Sequence, residues 1–264
     1  MSHERHLIGN FARASFRTKI IATVLAAVIL SSLVLLAFTH PLLIGSSTGP
    51  QVIEVLVAAL ASMTRLTIAF SLSVVLAIGA ACLVTSSRRA ESILMPVFDI
   101  LQSVPVLAFF PAAVVLFARF KFYEGAAMFV LQTAMLWPLL FSLVGAIRAI
   151  PRDVQDAARV FGAHGFRYWR FVVLPACFPG LVTGSILAFA AGWNVVIVAE
   201  FINYGGLQLS LPGLGSMLDR ATQRNPPDTT LFLVSLGAMI TLIIFANRVL
   251  WNPLMIRSER YKFD

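Results

Sequence analysis

The sequence predicts an all-α, polytopic membrane protein, a bundle of six transmembrane helices. Three observations predict it. Of 264 residues, 59% are hydrophobic and only 12% charged, against about 25% charged in a soluble domain. The apolar residues fall into six segments of bilayer length, about 20 residues each. The basic residues fall in alternate connections between those segments, as the positive-inside rule expects.

Taken in order, the first predicted span is Ile20–Phe38, behind an arm carrying Arg13, Arg17 and Lys19. A secretory signal has an apolar core of roughly 7–15 residues and a small-x-small cleavage pattern. This segment is longer and lacks that pattern, so it reads as a retained span. Gln51–Ser62 is amphipathic, with Gln51 and Glu54 on its polar side, and is expected to lie at the outer surface. The remaining spans are Met63–Val84, Val97–Phe117, Gly125–Ala146, Phe178–Ile202 and Thr230–Leu250. The organisation is therefore a cytoplasmic arm over 1–19, a membrane domain over 20–250 with a polar loop at 151–175, and a cytoplasmic tail over 251–264.

Orientation follows from the basic residues. One side holds the arm, Arg88 and Arg89, then Arg148, Arg152, Arg159, Arg167 and Arg170, and finally Arg257, Arg260 and Lys262. The other side holds Arg119, Lys121, Arg220 and Arg224. Both termini and the 151–175 loop are thus expected in the cytoplasm, and the Gly- and Pro-rich Asn203–Asp228 loop outside. The net charge of +8 does not point to nucleic acid, because the basic residues flank apolar runs and form no stripe with interleaved aromatics. Cys82 and Cys177 show no metal spacing and read as packing residues.

The 151–175 loop has a stiff design. Pro151 opens a short helix where a missing N–H is harmless. Asp153 and Asp156 suit the positive end of its dipole. Ala157 and Ala158 let another backbone approach, and Gly162 can end the helix in a left-handed conformation. A second helix is expected over His164–Leu174, closed by Pro175. Such an elbow fits the groove of a cytoplasmic partner, although a basic loop lying on anionic headgroups has the same residues.

At these positions the chain resembles the permease subunits of ATP-binding-cassette importers. Their signature is Glu-Ala-Ala, three residues, Gly, nine residues, Ile-x-Leu-Pro. Here it reads Asp156-Ala157-Ala158, three residues, Gly162, nine residues, Val172-x-Leu174-Pro175. The resemblance extends from about Thr64 to Trp251. Arg65, the Gln102-Ser103-Val104-Pro105 run and the Gly192-Trp193-Asn194 to Ala199-Glu200 run are similar to the subgroup for nitrate, taurine, sulfonate and bicarbonate. It implies a type I importer bundle in a bacterial inner membrane. It also implies a second permease subunit, identical or different, and a pair of cytoplasmic ATP-binding subunits gripping Asp156, Ala157, Ala158, Gly162, Leu174 and Pro175. A periplasmic or lipid-anchored substrate-binding protein would deliver a small anionic solute.

The residues themselves exclude several chemistries. A P-loop needs Gly-x-x-x-x-Gly-Lys-Ser/Thr, and none of Lys19, Lys121 and Lys262 follows a glycine. ATP hydrolysis therefore belongs to another chain, and no catalytic residue, cofactor or metal is expected on this one. His3, His6, His40 and His164 all lie outside mid-depth, and His-Glu-x-x-His is absent, which removes intramembrane proteolysis.

Ionisable residues in or beside the spans are few, and Arg65, Asp99 and Glu200 stand out. All are expected near interfaces, where snorkelling and water keep them inexpensive, as gating or packing ion pairs. Polar groups within spans, Gln102, Ser103, Gln132 and the Trp193-Asn194 pair, are the candidates for a solute path, with Ser103 and Thr133 equally suited to bonding between helices. Pro105, Pro111 and Pro138 can kink the walls. No lysine or arginine reaches mid-membrane, so an anion would meet only neutral dipoles. An ion-coupled secondary transporter would need coupling residues deep in the spans, for which Asp99 and Glu200 are poor choices. A membrane scaffold that recruits a partner through the same loop is the other alternative.

Overall fold

The computed structural model describes residues 48–204 and 207–261; the predicted span Ile20–Phe38 and the N-terminal arm lie outside them. The frame is helical. Four helices among the described residues are long and apolar enough to cross a bilayer, and a pair bent by 85° is either a fifth, broken span or a re-entrant loop.

Helix α1, Thr48–Thr85, runs unbroken for 38 residues, or about 57 Å. The expected surface segment Gln51–Ser62 is thus no separate element. Nothing in it breaks a helix, and its apolar residues simply continue the periodicity of the span. Ser87 caps the next helix, α2, Arg88–Ser103, by accepting from Ala90 N. The expected single span Val97–Phe117 is instead two pieces meeting at 85°. Val104 is held extended by the following Pro105. A 3-10 turn, Val106–Phe109, then leads into α3, Phe110–Ala118.

Helix α4, Tyr123–Arg148, forms the centre. It is apolar on all sides, as a helix surrounded by protein must be. Leu131, Met135, Leu139, Leu140 and Leu143 are essentially inaccessible. Its neighbours are α1 and α7, Phe178–Glu200. The α4–α7 seam is built on small residues. A Cβ on Gly184 would lie 2.8 Å from Ser142 Cβ, one on Gly180 would strike Ala146, and one on Gly192 would strike Met135. Small residues at four-residue spacing let two membrane helices approach this closely.

Between α4 and α7 lies the elbow: α5, Arg152–Val160, and α6, Gly165–Tyr168. A π-turn over Trp169–Val173 and one turn over Leu174–Ala176 follow. Pro175 was expected to stop the second helix, and it does not. The π-turn closes with Leu174 N bonding Trp169 O, which accommodates a proline that cannot donate and crowds the carbonyl four residues back. Cys177 N then reaches Val173 O at 2.8 Å, and Leu181 N reaches Cys177 O at 2.9 Å. Helical hydrogen bonding thus carries through from the elbow into α7. The same device recurs at Asn247–Trp251, ahead of Pro253.

The Asn203–Asp228 loop is more ordered than its Gly and Pro content predicts. Strands β1, Phe201–Tyr204, and β2, Leu207–Ser210, pair antiparallel with Phe201 opposite Ser210. Helix α8, Leu214–Gln223, follows. Asp228 caps α9, Thr229–Ala246, through Leu231 N. The described residues end with α10, Asn252–Ser258, and a 3-10 turn over Glu259–Tyr261. Edge-to-face contacts of Phe189 with Phe70 at 5.9 Å and with Trp251 at 5.4 Å tie α7 to α1 and to this last segment.

Candidate functional site

Three regions carry the chemistry-bearing residues: the elbow at one end of the bundle, a polar node at the hairpin end, and a cavity between them.

The elbow ends its first helix in a full Schellman motif. Gly162 has φ +73°, its N–H bonds Arg159 O at 3.0 Å, and Ala163 N bonds Ala158 O at 2.9 Å. A β-carbon at Gly162 would be strained by that φ. Ala158 is buried against the bundle, whereas Ala157 and Asp156 face outward. Asp156 sits 3.7 Å from Arg159, both largely exposed, so the pair adds little. Val160, Phe161 and Phe166 are 83%, 89% and 79% exposed, a cluster with no apolar neighbour to cover it. Leu174 and Pro175 are half-buried. Pro175 lines a recess of about 450 Å³ with Val154, Ala158, Phe171 and Tyr261. Burial pushes the Tyr168 phenol above its ordinary range.

At the hairpin end Arg65 and Glu200 do meet in the expected ion pair, but enclosed by protein rather than eased by snorkelling and nearby water. Arg65 and Glu200 are 4% and 0% exposed and form an ion pair at 2.6 Å inside the protein. A second carboxylate, Glu124 at the start of α4, grips the same guanidinium from both oxygens at 2.8 Å. Ser62, one turn before Arg65, donates to Glu200 at 2.6 Å and accepts from Leu214 N at 2.9 Å. Gly215 N donates to the other Glu200 oxygen at 2.8 Å, so the carboxylate sits at the positive end of α8. Gly213 must lack a side chain, because a Cβ there would occupy the space of that carboxylate. Every oxygen of Glu200 is satisfied. Burying such a charge costs several kcal/mol unless it is paired and bonded, and here it is both. Sequence reasoning missed Ser62 and Glu124. Ser62 was legible as the i−3 neighbour of Arg65, and Glu124 as a first-turn acid.

Asp99 joins neither group. It accepts the Gln102 amide at 2.8 Å and makes no ion pair among the described residues.

The cavity, about 500 Å³ and open along one side, lies between α2, α4 and α7, with Gln102 and Asn194 exposed along it. Gln102 and Asn194 both line it, with Trp137, Pro138, Phe141 and Ser142 of α4. Ser103 instead bonds its own helix at Asp99 O, and Thr133 bonds Phe129 O, so neither links helices. Gln132 is engaged through its backbone, whose carbonyl lies 3.1 Å from Ser73 Oγ. Trp193 does not line the cavity. It is buried against Phe189 at 6.4 Å, because adjacent residues on a helix point about 100° apart. No residue lining the cavity is charged.

Comparison with known proteins gives the family. The model of a family described as "Binding-protein-dependent transport system inner membrane component" matches residues 73–251. The bicarbonate transport system permease protein of Synechococcus elongatus is 32% identical over 185 residues, 70% of this chain and 64% of that protein. The nitrate import permease protein of Synechocystis sp. is 28% identical over 142 residues, 54% of this chain and 50% of that one. The riboflavin transport system permease protein of Chloroflexus aurantiacus is 31% identical over 176 residues, 65% and 61% of the respective chains. The matched segments thus span less than two thirds of these relatives.

Proposed function

Because the chain belongs to the family of binding-protein-dependent transport system inner membrane components, we propose that it is the membrane-spanning permease subunit of an ATP-driven importer. A pair of such subunits, identical or not, encloses the solute path in an inner membrane. Both termini and the elbow face the cytoplasm, and the hairpin end faces the binding protein that delivers solute. The 151–175 elbow docks into cytoplasmic ATP-binding subunits. Closure of those subunits on ATP moves the elbows, and hydrolysis resets them.

One observation carries the reading. Val160, Phe161 and Phe166 are more exposed than any core position of the chain, yet they sit on a segment fixed by a Schellman motif and running helically into α7. Large apolar side chains held out on a stiff support mark a surface that another protein covers. The relatives' names pair this architecture with bicarbonate, nitrate and riboflavin, so membership alone leaves the solute open.

The test is retention of an ATPase during purification. Gly162→Pro removes the donor to Arg159 O and forbids the left-handed turn. Ala157→Arg places bulk on the outward face while the inward Ala158 is untouched. Both are expected to lose the ATPase and transport while the bundle still assembles. Unchanged assembly and uptake in both variants would defeat the proposal.

A further inference from the structure

We propose that the cavity between α2, α4 and α7 receives a planar, uncharged solute with an aromatic or heteroaromatic ring and a hydrogen-bonding edge. The proposal rests on the permease reading, and it departs from the small anion that the resemblance implies.

Size is the first argument. About 500 Å³ falls among sites that hold organic molecules, roughly 300–1,000 Å³. An inorganic anion would leave most of that space to water. Position is the second. Pro138 lies 15 residues into α4 by number, about 22 Å along it, so the cavity is at mid-depth of the bundle.

The lining supplies the third argument. Trp137 and Phe141 are one turn apart on α4 and share a face. Phe98 of α2 packs on Trp137 at 6.2 Å and fixes its ring. Aromatic faces set in this way take a flat ring by stacking. Across from them, Asn194 of α7 has no hydrogen bond among the described residues, leaving its amide donor and acceptor free. Gln102 gives an N–H to Asp99 at 2.8 Å and keeps its carbonyl available. Paired donors and acceptors from two helices match the edge of an amide, imide or amidine ring.

The lining offers an anion no charged partner on this chain. No lysine, arginine or histidine lines the cavity, and the nearest bonded charge, Asp99 behind Gln102, is negative. The buried cation of the bundle, Arg65, is already held by Glu124 and Glu200. An anion would find no compensating charge among the lining side chains of this chain, whereas a neutral polar edge finds the two amides.

The experiment uses the full chain purified in lipid nanodiscs, with lumichrome, a neutral fused-ring compound, as probe in equilibrium dialysis. Saturable binding is expected, weakened about tenfold or more by Asn194→Leu and by Trp137→Leu and retained by Trp137→Phe. Millimolar nitrate, bicarbonate and taurine are expected to leave it unchanged. The idea is overturned if any of those ions displaces the probe, if lumichrome does not saturate, or if both leucine variants bind like the parent. Competition on the parent protein decides the matter even where a variant does not fold. ATPase retention, measured on the same preparations, separates the two claims: probe binding without a retained ATPase sinks the permease reading and leaves the cavity assignment standing.

Discussion

The two ends of the bundle solve opposite problems. At the hairpin end, the Arg65–Glu200 pair is taken inside, and both carboxylate oxygens of Glu200 find partners on α1 or α8. At the elbow, apolar rings are held fully outside with nothing against them. The first end is complete within this one chain, and on the proposed reading the second is completed by another. Cutting a contact should therefore cost most stability where the charge is buried, and most assembly where the phenylalanines are. The difference teaches that burial alone does not mark function in this molecule, since the most and the least buried special residues both need explaining.

Substitutions can break that contrast, beginning with the largest effect. Arg65→Ala leaves the Glu200 carboxylate enclosed without its cation, and a buried pair cut on one side costs about 3–5 kcal/mol. The unfolding midpoint of the purified chain is expected to drop accordingly, and an unchanged midpoint would mean that water already reaches the node. Ser62→Ala removes a donor to Glu200 and an acceptor for Leu214 N, for a loss of about 1–3 kcal/mol, measurable in the same unfolding series. At the other end, Phe161→Asp should shift stability by no more than about 0.5 kcal/mol, because the ring contacts so little. ATPase capture should nevertheless fail in that variant. A stability loss equal to that of Ser62→Ala would show that the elbow is packed, and the contrast would dissolve.

Much of this was legible in the sequence because membrane spans and the elbow are local in origin. Composition revealed the bilayer, hydropathy placed the four unbroken crossings, and Asp156 to Pro175 could be read letter by letter as two short helices around a glycine. The misreadings share a cause: they depend on distant partners or on how prolines are absorbed. Arg65 and Glu200 are 135 positions apart, and only their meeting turns two supposed interface charges into a core pair. Pro175 reads as a terminator, yet a π-turn absorbs it. Val104-Pro105 reads as the interior of one span and is a sharp corner. Trp193 and Asn194 are adjacent in sequence and face different environments, which no spacing rule resolves without knowing which side of α7 is covered. The cavity drew Gln102 and Asn194 together as two of the polar residues singled out, but its aromatic wall, Trp137 and Phe141, looked like ordinary apolar span.

The helical run that leaves the elbow at Gly165 ends at Glu200, 35 positions later. One backbone thus begins beside the exposed phenylalanines and finishes at the carboxylate that anchors α8. On the proposed reading, a displacement imposed at the elbow would reach the Glu200 carboxylate, and with it the start of α8, along this one backbone.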